Sequence, residues 1–383
     1  MTDLNNQDSD PAYEDADMEE EAWLESESEE TITEPFDPTK IRVETRLMPI
    51  NLVLSRIQYK ELDLAPDFQR YAGIWTDANK SRLIESILIR IPLPAFYMDA
   101  TDDDKWLVVD GLQRLTALKK FVIDKELRLK GLEYLEDIEG KSYEELPRKY
   151  QRRIQETVIT VYLIDRGTPP EVKFNIYKRI NTGGLPLSLQ EIRHALNQKG
   201  QAAIFLARLA ESAEFKQAAD IKDGRKKRMI DREFVLRFIS FILTPYQDYK
   251  AKRMDFFLND AMAQIDLMSE SELEKLEHKF KQVMIVAYDL FGQDAFRKPN
   301  LNQRRSPINK ALFEVWSVNI AVLKQEEINI IKTKKTQLAE KLSRLMEDDA
   351  KFNSSVSERT SNVSRVKYRF SKIEEIIKEV LRD

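Results

Sequence analysis

The stretch VVDGLQRLTALKKF (108–121) brings an acid, a glycine, an amide and an arginine together within five positions, between an apolar strand-like run and a run with helical period. A glycine at that junction lets a phosphate approach the backbone closely. The first helical turn behind it offers N–H groups that have no intrahelical acceptor, with a partial positive charge. Arg114 adds a planar fork of donors matched to phosphate oxygens, and Gln113 adds an amide donor. Asp110 would repel phosphate, so its chemistry there is to hold a Mg²⁺ that bridges phosphates or to orient an attacking water. The same residues also fit a plain tight turn in which the arginine pairs locally, and spacing leaves both open. A second glycine site, RINTGGLPLSLQEIR (179–193), sets Asn181, Gly183 and Gly184 between two helical runs. It reads either as a helix end followed by a Ser188/Glu191 capping box or as a second wall of a phosphate pocket. Gln69 and Arg70, on the loop DFQRYAGIW, fit a structural ion pair or a ligand clamp equally.

Composition removes most other chemistries. The 383 residues contain no cysteine and two histidines, His194 and His278. Thiol nucleophiles, iron–sulfur clusters and thiolate zinc sites are therefore excluded, and a Ser/His/Asp triad or an HExxH helix is disfavoured because none of their spacings occurs. His194 lies in a capped helical run, where packing explains it better than catalysis; His278 sits in the charged stretch EHKFK and reads as exposed. No run approaches the roughly 18 apolar residues of a membrane span, and the N-terminus lacks the layout of a secretory signal, so a cytoplasmic protein is expected.

The elements that must position these residues follow from periodicity. Leu62–Leu64, AFYMD (95–99), KWLVV (105–109) and TVITVYLID (157–165) read as strands, the middle two forming a hairpin across the acidic turn ATDDD. Thr76 or Asp77 caps a helix whose apolar face is Leu83, Ile84, Ile87, Leu88 and Ile91. Beyond residue 169 the pattern is helical almost throughout: 169–181, the capped helix after Ser188, 201–213, 231–243, 255–267, 271–291, 307–348 with breaks, and 371–382. Only 10 of the 383 residues are glycine, against an average share of about 7%, as suits a helix-rich chain. The expected class is therefore α+β and helix-rich, with a small mixed-sheet core followed by a mostly helical domain. Three regions are expected: an acidic disordered tail over 1–38, a core over 39–168 and a helical domain over 169–383.

Charge is unevenly distributed. Residues 1–39 hold fifteen acids and no base, which leaves 51 acids against 61 bases and a net +10 on the remainder. The tail reads as a solubilising extension or as a nucleic-acid mimic that screens the basic body. KDGRKKR (222–228), RKPNLNQRR (297–305) and KTKK (332–335) suit contacts to a nucleic-acid backbone, or are simply solvated faces.

Four motifs in order, FQR (68–70), LIESILIRIPLPAFYM (83–98), VVDGLQRLTALKKF (108–121) and FNIYKRINTGGLPLSLQEIRHA (174–195), resemble the DGQQR-motif family, the N-terminal part of GmrSD-type modification-dependent restriction enzymes, in the ParB/sulfiredoxin-like superfamily. The resemblance implies a nucleotide-binding core over 39–168 and a site for nucleoside triphosphate binding and Mg²⁺-dependent hydrolysis, in a bacterial anti-phage system. Carried over, Asp110, Gln113 and Arg114 would be catalytic, with Asp110 also on the metal; Gly111, Gln69, Arg70, Asn181, Gly183 and Gly184 would bind phosphate. Leu112 stands where the signature commonly has its first glutamine, which puts hydrolysis, more than binding, in question. Many relatives add a C-terminal histidine-metal nuclease. Here neither histidine lies in such a setting, and the chain resembles the N-terminal module alone. Expected partners are a nucleotide, DNA through the basic body, and a separately encoded nuclease or defence subunit. The alternative is a ParB-like DNA-binding module or regulatory subunit without catalysis of its own.

Overall fold

The computed structural model describes residues 41–64, 75–180, 188–197, 200–222, 228–250, 253–299 and 305–382. They form an α+β, helix-rich fold, as expected. It divides into two compact units, one within 34–186 and one within 187–383.

The first unit holds one mixed sheet of five strands: β1 (Val43–Pro49), β2 (Leu62–Asp63), β3 (Phe96–Ala100), β4 (Trp106–Asp110) and β5 (Val158–Asp165), in the order β1-β5-β3-β4-β2. The expected hairpin is β3 and β4, antiparallel; β5 runs parallel to β3 and antiparallel to β1, and β2 runs parallel to β4. Helices α1 (Ile50–Gln58), α2 (Asp77–Leu88), α3 (Leu112–Leu118), α4 (Arg148–Glu156) and α5 (Pro170–Ile180) complete it. Strand alternation sends Phe96, Met98, Trp106, Val108, Val161 and Leu163 into one core with Val53, Ile84, Leu115 and Ile154 from the helices. The Thr76 side chain caps α2 by accepting from the Asn79 amide at 3.2 Å. Strand β1 and helices α1 and α4 were not expected from periodicity: β1 is exposed at Val43–Leu47, and its apolar residues alternate with charge at an edge.

The described residues of the second unit are mainly helical: α6 (Leu189–Leu196), α7 (Gln201–Ala210), α8 (Ala213–Ala219), α9 (Ile230–Leu243), α10 (Met254–Asp266), α11 (Glu270–Phe291), α12 (Lys310–Ala321), α13 (Gln325–Thr333), α14 (Lys335–Asp348), α15 (Ala350–Ser357) and α16 (Val363–Arg382). The Ser188/Glu191 capping box forms at α6, with both reciprocal bonds present. An aromatic core built on Phe215, Phe234, Phe238, Phe280 and Phe313 encloses a buried ion network. Glu314 accepts from Arg237 at 2.6 Å and from Arg369 at 2.5 Å, and Glu233 accepts from Arg237 at 2.7 Å and from Lys310 at 3.0 Å.

One boundary differs from expectation. The helix beginning at Pro170 was assigned to the helical domain, but α5 belongs to the sheet unit. Its Lys173 and Tyr177 bond Asp99 of β3, and Val172 and Phe174 are buried. Among the described residues, no helix is long and apolar enough to cross a membrane.

Candidate functional site

Strand β4 ends in an irregularity that sets the direction of Asp110. The β3–β4 ladder pairs Met98 with Val108 but Tyr97 with Asp110, so Val109 is an extra residue and the strand is bulged at its last step. Such a bulge re-aims the side chain that follows it. Asp110 is thereby placed opposite Tyr97, whose hydroxyl is pushed up by burial and further by the charges of Tyr162 and Asp110. Tyr97 also packs against Tyr162, with ring centroids 4.9 Å apart.

Gly111 then turns the chain into α3 at φ +100°, ψ 9°. Two independent reasons demand glycine here. The backbone is left-handed, and a Cβ would lie inside the contact radius of the Phe96 ring, 2.9 Å from Cε1 and 3.3 Å from Cγ. The Gly111 carbonyl accepts from the Leu115 amide at 2.9 Å, so α3 starts at once and the N–H groups of its first turn precede its hydrogen-bond ladder. After Leu118 the helix widens into a π turn over Lys119–Ile123.

Arg114 does not reach outward. Its guanidinium donates through Nη2 to Asp110 Oδ2 at 2.7 Å and to the Ala95 carbonyl at 3.2 Å, and through Nη1 to the Pro94 carbonyl. It lies 4.3 Å over the Phe96 ring. Burial lowers its pKa from the ordinary arginine value, opposed by the Asp110 charge. The local-pairing alternative thus describes this arginine, with one addition: the pair also ties the start of β3 to the turn. Asp110 keeps 29% of its side chain exposed against 11% for Arg114, so the carboxylate is the solvent-facing member of the pair. Gln113 is partly buried in the first turn of α3. Gln69, Arg70, Asn181, Gly183 and Gly184 lie outside the described residues, so Asp110, Gly111, Gln113 and Arg114 are the expected site residues that the structure places together.

A second polar cluster was not foreseen. At the far end of β3, Asp99 accepts from Lys173 Nζ at 3.2 Å and from the Tyr177 hydroxyl at 3.0 Å, and from the Thr101 amide at 2.8 Å. The Thr101 hydroxyl bonds both Asp99 and Lys173. Burial raises the Tyr177 hydroxyl well above its ordinary value, and the Asp99 charge adds to it. This cluster fixes α5, the helix that leads into the NTGG segment. Lys173 and Tyr177, four apart in KFNIY (173–177), were the available signal, since both lie on one helical face.

The basic stretches are largely committed to the fold where they are described. Arg297 is buried and donates to the carbonyls of Ala219 and Ala295 at 2.7 and 2.9 Å, and Arg305 donates to the Gln293 carbonyl at 3.0 Å. Arg228 pairs with Glu191 at 3.3 Å and Lys332 with Asp289 at 2.7 Å. His194 is buried beside Arg232, its Nδ1 3.3 Å away, and His278 is exposed, as expected of both. Among the described residues, no group of three or more His, Cys, Asp or Glu side chains could hold a metal ion.

Residues 50–198 match the family model described as the GmrSD restriction endonuclease, N-terminal domain. Over that span the chain is similar to a GmrSD N-terminal domain. No curated protein and no solved structure matches the chain. The GmrSD span runs from α1 to α6 and contains the bulged strand, Gly111, Arg114 and the Asp99 cluster; β1 precedes it.

Proposed function

We propose that the sheet unit binds a nucleoside triphosphate at the DGLQR turn and hydrolyses it with Mg²⁺, as the nucleotide-driven component of an anti-phage restriction system. One observation carries this reading: a partly exposed Asp110 carboxylate, aimed by a strand bulge and held through one oxygen by a largely buried arginine, beside a left-handed glycine at the start of a helix. Phosphoryl transfer asks the protein chiefly for positioning and charge neutralisation, which such a turn supplies without histidine or cysteine. Asp110 is a single carboxylate, and that donor set suits Mg²⁺, which is commonly held by one or two carboxylates and completes its shell with phosphate oxygens and water. When bound, the ion would neutralise phosphate charge. Arg114 acts in this reading as a positioning residue, because its donors go to Asp110, Ala95 and Pro94. The phosphates fall instead to the backbone N–H groups of the turn and to Gln113, with Gln69, Arg70, Asn181, Gly183 and Gly184 as the remaining candidates. The helical unit is the proposed DNA-binding part.

The test is Mg²⁺-dependent phosphate release from a panel of nucleoside triphosphates by the full chain, with and without modified DNA. Asp110→Asn keeps an acceptor for Arg114 and removes the charge; turnover is expected to fall by about 100-fold or more. Undiminished turnover in that variant refutes the assignment. The second reading, a DNA-binding or regulatory subunit for a separate nuclease, is favoured by the commitment of the Arg114 donors to its own chain. It predicts DNA affinity that falls steeply with salt and is unchanged by Asp110→Asn, with no phosphate release.

A further inference from the structure

The sheet has an open edge. β1 is the outermost strand, paired on its inner side with β5 along all seven residues from Val43 to Pro49, and among the described residues no strand pairs with its outer side. The Asp165 amide donates to the Arg42 carbonyl and the Ile50 amide to the Thr157 carbonyl, both at 2.9 Å. Alternate residues of an antiparallel strand bond to opposite sides, so these two bonds place the even-numbered positions of β1 toward β5. The N–H and C=O groups of Val43, Thr45 and Leu47 therefore point outward. The usual protections of such an edge are charged side chains, lysine above all, mid-strand proline, a bulge or extreme shortness. β1 has no lysine, no bulge and no proline before its last residue, Pro49, and its two charges, Glu44 and Arg46, are of opposite sign. Its outer apolar side chains are well exposed, Leu47 at 72% and Val43 at 39%, with Val158 of β5 on the same face at 56%.

We propose that β1 pairs antiparallel with β1 of a second copy of this chain about a two-fold axis at Thr45, joining the two sheets into one. The strand is self-complementary about that residue. Val43 then faces Leu47 of the other copy, Thr45 faces Thr45, and the outward N–H and C=O groups of these residues close on one another. On the other face Glu44 meets Arg46 of the other copy, twice. Within one chain Arg46 already donates to Glu44 through Nε and Nη2 at 2.8 Å each, an exposed pair that can exchange its partner without loss of charge balance. The charges also select the register. Sliding the pairing by two residues in one direction sets Glu44 against Glu44 and Arg42 against Arg46; in the other it sets Arg46 against Arg46. Like charges directly opposite are unfavourable.

The experiment is sedimentation of the full chain from micromolar to near-millimolar concentration, with thermal melting of each variant as a fold control. Wild type is expected to dimerise reversibly. Glu44→Arg and Arg46→Glu should each weaken self-association about tenfold or more, since both cross-strand pairs become repulsive. An equimolar mixture of the two single variants should associate again, and so should the double variant carrying both changes. Thr45→Pro removes an outward N–H while leaving the β5 ladder its bonds, and should abolish the dimer. A wild-type chain that stays monomeric throughout overturns the proposal. So does a dimer indifferent to Thr45→Pro or to the charge reversals, or single variants that fail to associate when mixed. Should Thr45→Pro melt early, the charge variants, whose side chains are exposed, decide the matter alone.

Discussion

Replacing Gly111 by alanine tests the geometry from which the site is built. At φ +100° an L-residue incurs a left-handed penalty of about 1–2 kcal/mol, and the added methyl group must displace the body of the Phe96 ring, overpacking that costs about 1–3 kcal/mol. The sum, about 2–5 kcal/mol, is a large part of a typical domain's 5–15 kcal/mol. Native-state hydrogen exchange reads this locally: amides of β3, β4 and β5 that open only with the whole sheet unit should lose protection by about 30-fold to several thousand-fold. The helical unit serves as internal reference. Repeating the change in a Phe96→Leu background separates the two contributions, because a smaller side chain relieves the crowding and leaves the backbone penalty of about 1–2 kcal/mol. A loss of protection below about threefold refutes the assignment of Gly111 as structurally obligatory. An identical penalty in the two backgrounds refutes the part played by Phe96.

Glu314→Ala leaves Arg237 and Arg369 buried without the carboxylate that both share, and should destabilise the helical unit by about 3–5 kcal/mol in chemical denaturation; a cost under about 1 kcal/mol would mean that the pair is hydrated or repacked. Glu85 gives a pH signature in the sheet unit. Burial pushes its pKa up, but the amides of Glu133, Tyr134 and Leu135 donate to it at 2.7–3.1 Å and bring the net value below the ordinary 4.5. A depressed folded value means stabilisation that is present above the unfolded pKa and lost as pH falls through the folded one. The Tyr134 amide resonance should therefore titrate below the ordinary glutamate range, and Glu85→Gln should abolish that titration; a midpoint at or above 4.5 would reverse the sign.

The four motifs, the β3–β4 hairpin, the capped helices and the glycine between strand and helix were all legible in the sequence. They rest on local physics: a period of two or about 3.6, a turn-forming composition, a hydroxyl three residues before a glutamate. The direction of Arg114 was not legible, because the carbonyls that hold it, Pro94 and Ala95, lie twenty and nineteen positions earlier and meet it only when β3 packs beside the turn. Nor was the fate of the other charges. Arg237 and Arg369 find Glu314 across 77 and 55 residues, and Arg297, in a stretch that reads as solvated or nucleic-acid-facing, finds Ala219 across 78 and is buried. The edge strand β1 escaped for the opposite reason: its apolar residues are exposed, so it lacks the half-buried signature by which strands are recognised. Local pattern set which elements form and where the turn glycine must stand. Only the packed structure decided which charges meet, because the cost of burying a charge is offset by a partner chosen in space, whatever its distance along the chain.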